Sequence, residues 1–381
     1  MIRMVDNNHS LRGKRIIIVL GSLELGGAER QALLLARHLV NEQGADVHVW
    51  GFTGPGRTSE MCEEAGIPWR VVPVAWGGRR RSFLFDLARF GITLRRARPF
   101  AVLPFTNPPN VVCGLTWKIT GASTCVWNQR DLGLQRRGTI LERWAVRWTH
   151  RFVAVSEPAA GFLVDALGIP RNRVSVIHAG VELAQPESGR NAWREGLGLH
   201  ERDFVACMVA NMHGNKDHAT LLRAWRIVQD LTRNAGRPFI LLLAGRFAGT
   251  HEQLKTIAFD LGLGKTVRFL GPVKDVAGLL CAADLGVLSS RSEGCPNSVL
   301  EYMAAGLAVV ATDNPGVREA VGENGYRFLA PFGDPVVWAE KILELAEDDV
   351  LRSQTGMTNP ERVRLEFDPR AMCQRMVALL C

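Results

Sequence analysis

The sequence predicts an α/β protein built from two doubly wound halves, each a parallel sheet with helices on both faces. Two observations lead there. Short apolar runs alternate with stretches of helical periodicity along the chain, the order that makes parallel sheets from strand–helix–strand units. The alternation breaks near Gly180, where VELAQPESGRNAW is polar, holds proline and glycine and has no period, as a linker does. A length of 381 residues suits two domains. The expected boundaries are 1–183 for the first half and 184–365 for the second, with 366–381 as a separate final segment.

In the first half, residues 14–21 read as a strand, followed by a glycine loop and a helix over 28–40. Residues 47–52 and 69–74 read as strands, 82–98 as a helix, and 101–104 as a short strand that runs into the loop Thr106-Asn107-Pro108-Pro109. Residues 124–128 and 152–155 complete the strands of this half. In the second half, strands are expected at 204–210, 239–244, 267–270 and 285–288. Helices are expected at 219–231, 251–261, 317–321 and 335–348, and 370–380 is a last amphipathic segment. Ligands in such sheets bind outside the carboxyl ends of the strands, so a site is expected in a cleft that the two halves face.

Bulk properties exclude several classes. Hydrophobic residues make up 47% of the chain, enough for large cores, yet no apolar run approaches the ~18 residues that span a bilayer. The start, MIRMVDNNHSLRGKRIIIVLGS, places basic residues before an apolar run. IIIVL is too short for a signal-peptide core and reads as the first strand, so a cytoplasmic protein is expected. The cysteines (Cys62, Cys113, Cys125, Cys207, Cys281, Cys295, Cys373, Cys381) form no C-x-x-C pair, which argues for buried thiols over a zinc or disulfide scaffold.

Charge is uneven. Residues 1–183 carry 24 Lys and Arg against 14 Asp and Glu, a net of +10, and the remainder is net −2. The basic runs are Arg79-Arg80-Arg81, Arg95-Arg96-Arg98, and Arg136-Arg137 with Arg143, Arg147 and Arg151. An anionic partner follows, such as a phospholipid surface or a phosphorylated acceptor, the alternative being solvated helix faces. The positive residues match no nucleic-acid-binding motif, so no nucleic acid is expected. Trp144 and Trp148 lie one helical turn apart among these arginines. They are read as a pair packed in the core, with an interfacial face as the alternative.

The chemistry concentrates in residues 291–312, RSEGCPNSVLEYMAAGLAVVAT. Glu293 and Glu301 flank the loop Gly294-Cys295-Pro296-Asn297, which enters a helix. Asn297 or Ser298 is expected to cap that helix, Gly306 to close it, and residues 307–311 to form a buried strand. A helix N-terminus at a sheet edge is an anion site. Ionised carboxylates on either side suit paired sugar hydroxyls, so the layout fits a nucleotide diphosphate-sugar. Lys216, in ANMHGNKDH between a strand and a helix, can neutralise a leaving diphosphate. Gly26-Gly27 in GGAER follows the first strand and lets the backbone approach a phosphate. The spacing is not G-x-G-x-x-G, which disfavours a nicotinamide enzyme.

The block EGCPNSVLEYMAAGLAVVAT resembles the E-x7-E segment of retaining glycosyltransferase family 4, whose members have the GT-B fold. The resemblance implies that Glu293 binds hydroxyls of the donor sugar and Glu301 those of the ribose. It implies that the backbone amides of Ser298, Val299 and Leu300 meet the diphosphate, with Gly294 allowing close approach. GGAER resembles the family's first loop, which lies across the cleft from the donor diphosphate. A family arginine that pairs with the lysine would fall at Asn211, or in some relatives at His213. The family histidine facing the reacting sugar is absent near Trp127-Asn128-Gln129-Arg130-Asp131, where Arg130 or Asp131 could orient the acceptor. Two further stretches, 153–157 and 177–182, resemble family landmarks and are read as structural. The last helix of GT-B enzymes crosses back to the first domain, and residues 370–380 are the counterpart here.

Taken together, the resemblance implies a retaining glycosyltransferase with Lys216 and Glu293 as its catalytic pair. It would use a nucleotide diphosphate-sugar as co-substrate, with no cofactor and no metal. The acceptor would be a glycan or lipid-linked acceptor in bacterial surface-polysaccharide synthesis, and the protein could contact the inner face of an anionic membrane. The alternatives are a sugar-nucleotide epimerase of the same fold and a non-catalytic nucleotide-sugar-binding module.

Overall fold

A computed structural model of the chain describes residues 11–76, 80–134, 136 and 138–381. Arg79 and Arg137 of the basic runs lie outside the described residues. The chain divides into two compact units. The first ends at Gly180 and takes in Pro369–Cys381, and the second is Val181–Asp368.

The first unit holds a seven-stranded sheet among the described residues. Its strands are β1 (Arg15–Leu20), β2 (Asp46–Gly51), β3 (Trp69–Val71), β4 (Ala101–Pro104), β5 (Thr124–Gln129), β6 (Arg151–Ala154) and β7 (Val174–Val176). They run parallel in the order β3-β2-β1-β4-β5-β6-β7. β1 is apolar on both faces because both are covered. Ile16, Ile18 and Leu20 pack with residues of helices Gly27–Asn41 and Pro369–Ala378. Ile17 and Val19 face the opposite core, with Phe83, Phe90 and Leu94 of helix Arg80–Ala97 and Val112 and Cys113 of helix Asn107–Thr116.

Buried polar side chains tie this unit together. Asn128 donates its amide to the Pro104 and Val126 carbonyls, and Asn110 donates to the Asn128 carbonyl at 2.8 Å. Gln31 Nε2 donates to the Gly180 carbonyl at 2.8 Å, and the Gly180 amide donates back to Gln31 Oε1 at 3.0 Å.

The second unit holds β8 (Phe204–Val209), β9 (Phe239–Ala244), β10 (Val267–Gly271), β11 (Leu285–Leu288), β12 (Ala308–Thr312) and β13 (Leu329–Ala330). Their order is β10-β9-β8-β11-β12-β13, all pairs parallel. The strand order reverses between β8 and β11, so the loops after these two strands diverge at a topological switch point. Tyr302 of helix Asn297–Ala304 is fully buried, and its hydroxyl accepts the Val209 amide at 2.6 Å. Gly286 makes room for it, since a Cβ there would lie 2.5 Å from the Tyr302 ring.

Three expectations are corrected. The stretch 106–109 is no plain loop: it starts helix Asn107–Thr116, with prolines in the first turn, where a missing N–H breaks no helical bond. The polar stretch after Gly180 is not wholly irregular, because Arg190–Gly196 is helical. Trp144 and Trp148 meet edge to face with centroids 5.4 Å apart, but Trp144 is 51% exposed, so the pair is not packed in the core. Among the described residues, no helix is long and apolar enough to cross a membrane.

Replacing Tyr302 by Phe would leave the half-buried Val209 amide without its acceptor. The expected loss is about 1–3 kcal/mol of stability, read as a lower urea midpoint. An unchanged midpoint would show that the hydroxyl does not hold the helix to the sheet.

Candidate functional site

The site predicted around residues 210–218 and 289–301 assembles at the switch point of the second sheet. Leaving β8, the chain forms a turn of 3-10 helix at Gly214–Lys216 and then passes through Asp217 in the left-handed conformation, φ 45°. The Asp217 carboxylate accepts the Thr220 amide and so caps helix His218–Leu231. Leaving β11, the second loop is stitched to the first. Ser289 Oγ donates to the Lys216 carbonyl at 2.9 Å, Asn215 Nδ2 donates to the Ser292 carbonyl at 3.0 Å, and the Arg291 amide donates to the Asn215 carbonyl at 2.8 Å.

This stitching aims Lys216 at Glu293: Nζ donates to Oε1 at 2.5 Å, with both side chains largely shielded. A third element supports the pair. Gly316, at the start of helix Pro315–Val321, packs so tightly on the loop that a Cβ would lie 2.3 Å from the Glu293 carbonyl. Asn314 caps that helix by accepting the Val317 amide and donates to the Ser290 carbonyl. Neither residue figured in the reading of the sequence. The Asn-Pro-Gly punctuation just after β12 was the available signal.

Helix Asn297–Ala304 starts differently from the expectation. Pro296 occupies the cap position and no side chain caps the first turn, so neither Asn297 nor Ser298 is the cap. The Leu300 amide donates to the Pro296 carbonyl at 3.3 Å, and Leu300 is thereby removed from the expected diphosphate donors. The amides of Ser298 and Val299 stand ahead of that first intrahelical bond, where helices offer donors to anions. Gly294 is buried in the loop that leads in. Glu301, in the second turn, is buried and not solvated. Gly306 is left-handed at φ 75°, and the Leu307 amide after it donates to the Tyr302 carbonyl, the glycine-terminated helix end expected there.

Asn211, where the family arginine would fall, accepts the Arg246 amide with its side-chain Oδ1 at 3.0 Å. The Met212 amide donates to the Arg246 carbonyl at 3.0 Å. Gly245, at φ 147°, permits this crossing, since a Cβ would lie 2.1 Å from the Ala210 carbonyl oxygen. Arg246 is therefore delivered beside the loop after β8. Desolvation by the surrounding protein lowers the pKa of His213; the cations Lys216 and Arg246 add to the effect and Glu293 opposes it. Sequence reasoning missed Arg246 because it follows β9, a strand outside the motif.

His218 is buried behind Lys216. Burial first, and then the Lys216 charge, push its pKa down to about 4.

In the first unit, Gly26 caps helix Gly27–Asn41, which begins one residue before the expected Ala28. The Glu29 carboxylate folds over Gly26, 2.7 Å from where a Cβ would be. Asp131 Oδ1 accepts from Gln129 Nε2 at 2.9 Å and from the Gly133 amide at 2.7 Å, so this carboxylate holds its own turn. Arg130, beside it, is partly buried.

Two family models match: one described as Glycosyl transferases group 1 over residues 203–348, and one described as Glycosyltransferase Family 4 over residues 25–185. The chain belongs to glycosyltransferase family 4. EpsD of Bacillus subtilis (strain 168), which carries a provisional glycosyltransferase name, is 32% identical over 245 residues, 62% of this chain and 61% of that protein. The D-inositol 3-phosphate glycosyltransferase of Salinispora arenicola (strain CNS-205) is 31% identical over 225 residues, 56% of this chain and 50% of that protein. The matches thus span roughly half to three fifths of these curated relatives. Anabaena Alr3699/HepE, solved in complex with UDP and glucose, superposes with a TM-score of 0.82 at 21% identity, covering 96% of this chain and 99% of that one. The fold of this family 4 chain is GT-B.

The depressed His218 pKa has a defined sign. Below its ordinary 6.5 the unfolded chain takes up a proton that the folded chain rejects until about pH 4. Stability should therefore fall as pH drops from about 6.5 towards 4, by up to about 3 kcal/mol from this residue. Urea midpoints across that range should decline less for His218→Asn than for the parent; equal declines would refute the assignment.

Proposed function

We propose that this chain is a retaining glycosyltransferase that moves a sugar from a nucleotide diphosphate-sugar to a hydroxyl of a glycan or lipid-linked acceptor. The observation that carries this reading is the Lys216–Glu293 pair, held at a switch point beside a helix N-terminus without a side-chain cap. HepE, a structural relative, was solved with UDP and with UDP-glucose, which supports the same donor class here.

In this reading the bond between the anomeric carbon and the diphosphate oxygen breaks while the acceptor oxygen bonds to the same face of that carbon. The acceptor proton passes to the departing phosphate oxygen. Lys216 and the amides of Ser298 and Val299 stabilise the charge that develops on the diphosphate. Glu293 keeps Oε2 for sugar hydroxyls while Oε1 holds Lys216, and Glu301 binds the ribose. Arg246 supplies the second cation that Asn211 and His213 do not. Lysine, arginine and helix dipole together remove the need for a metal. The setting proposed is bacterial surface-polysaccharide assembly, in the cytoplasm at the inner face of the membrane.

Incubation with a panel of nucleotide-sugars tests the reading. Nucleotide release that depends on an acceptor supports it. Isomerised sugar without an acceptor would make the chain an epimerase, and binding without turnover a non-catalytic nucleotide-sugar-binding module. Lys216→Ala should lower kcat/KM by at least about 100-fold, near 3 kcal/mol of transition-state stabilisation, with unfolding unchanged. Arg246→Gln should raise the donor KM about tenfold, or about 1.4 kcal/mol. Wild-type kinetics in either variant would remove that residue from the diphosphate site.

A further inference from the structure

The basic excess of the first half is confined to one stretch. Residues 80–151 carry 13 Lys and Arg against 3 Asp and Glu, a net of +10, while the rest of residues 1–183 balances at 11 each. All three acids already have partners, and Glu142 is buried. Asp86 accepts from Arg89 and from the Ala75 amide, Asp131 holds its turn, and Glu142 is buried and accepts the Gly138 amide at 2.8 Å.

The same stretch exposes apolar bulk. Leu84, Phe85, Ile92, Ile119, Leu134, Ile140 and Trp144 are exposed, and every exposed large hydrophobic residue of the first unit, among those described, is one of these. Single exposed apolar residues are ordinary, but their confinement to one region is not. The elements that carry all but Leu134 are linked in one row. Helix Arg80–Ala97 packs on helix Asn107–Thr116 and the turn Trp117–Thr120, and helix Asn107–Thr116 packs on helix Ile140–Trp148. Gly91 brings two of them close, since a Cβ there would lie 3.2 Å from Ile119 Cδ1. Phe83, Phe90, Leu94 and Trp117 point into the core, which leaves Leu84, Phe85, Ile92 and Ile119 on the outer sides. Arg95, Arg96, Lys118, Arg143 and Arg147 are exposed among them.

We propose that this face docks on an anionic lipid bilayer. Phe85, Ile92, Ile119 and Trp144 would enter the headgroup–acyl boundary while the arginines meet lipid phosphates, the combination that holds amphipathic helices at such interfaces. Charge complementarity selects the occupant: a second copy of this face would set Arg95, Arg96, Lys118, Arg143 and Arg147 against the same exposed cations. A phosphate backbone would gain nothing from the apolar projections. The inference deepens the membrane-contact part of the proposed function and rests on that part alone.

The test is flotation of the full chain with vesicles of phosphatidylcholine alone or with one third phosphatidylglycerol. Binding should be at least about tenfold stronger on the anionic vesicles and fall with added salt. Phe85→Glu with Trp144→Glu should lose about tenfold or more of that binding while keeping the parent's melting temperature and acceptor-dependent turnover of a soluble donor–acceptor pair. Equal binding to both vesicle types, or a double variant that floats like the parent, would overturn the proposal. So would a dimer in sedimentation that the double variant converts to monomer, because the face would then belong to a second copy. Lys216→Ala should float like the parent, so a failure of sugar transfer and a failure of docking are read separately.

Discussion

The hydroxyl of Tyr302 beneath the Val209 amide sets the geometry on which the candidate site depends. Tyr302 is on the helix that carries Glu301 and offers its N-terminus, and Val209 is the last residue of the strand that leads to Lys216. One hydrogen bond thus joins the two loops of the switch point from below. Gly286 is its counterpart on β11, because any side chain there would displace the ring. The helix cannot slide along the sheet without taking the acceptor from the Val209 amide and opening a void where the ring sits. With the helix held, the short bonds between 215 and 292 and between 216 and 289 align Lys216 with Glu293.

The ion pair leaves Glu293 Oε2 outside the bond to Lys216. A shielded lysine facing a carboxylate avoids the penalty of an isolated charge. An ionised carboxylate has more acceptor capacity than one ammonium uses, so Glu293 need not release Lys216 to meet hydroxyl groups. His218 behind the lysine is kept neutral by burial and by that same charge. In the proposed reading the positive potential is therefore directed outward, towards Ser298, Val299 and Arg246, and is not dispersed into the interior.

The sequence made much of this legible because the signals were local. Runs such as RIIIVL and FILLLA are apolar on both faces, which only covered parallel strands tolerate. Lys216 and Glu293 were picked out by loops that follow strands. What stayed hidden depends on contacts between distant segments. Arg246 is drawn in by a chain crossing at Gly245 and Ala210, 35 residues apart. Gly316 matters only because another loop lies on it. Pro296 took the cap position although Asn297 and Ser298 are the better side-chain caps, since the helix started one residue earlier than pattern alone suggests. Trp144 has the spacing of a core pair, and only the tertiary placement of its helix shows which side faces out.

The two units share a device that bears on how such sites are held. In each, a non-glycine residue with positive φ stands at the N-cap position of the helix that follows a switch-point strand: Thr106 at φ 70° after β4, with no side-chain cap bond, and Asp217 at φ 45° after β8, whose carboxylate caps the helix. Besides these, Arg98 is the only described non-glycine residue in that region. Such a conformation costs on the order of 1–3 kcal/mol and persists where the surroundings over-determine it. The surroundings do so here. The Thr106 amide donates to the Asn128 carbonyl, inside the buried asparagine network. Asp217 is pinned by the Thr220 amide on one side and by the bonded Lys216 carbonyl on the other. Relaxing Asp217 would rotate the peptide that carries Lys216 and break the Ser289 bond, so the strain is retained by the same contacts that aim the lysine at Glu293.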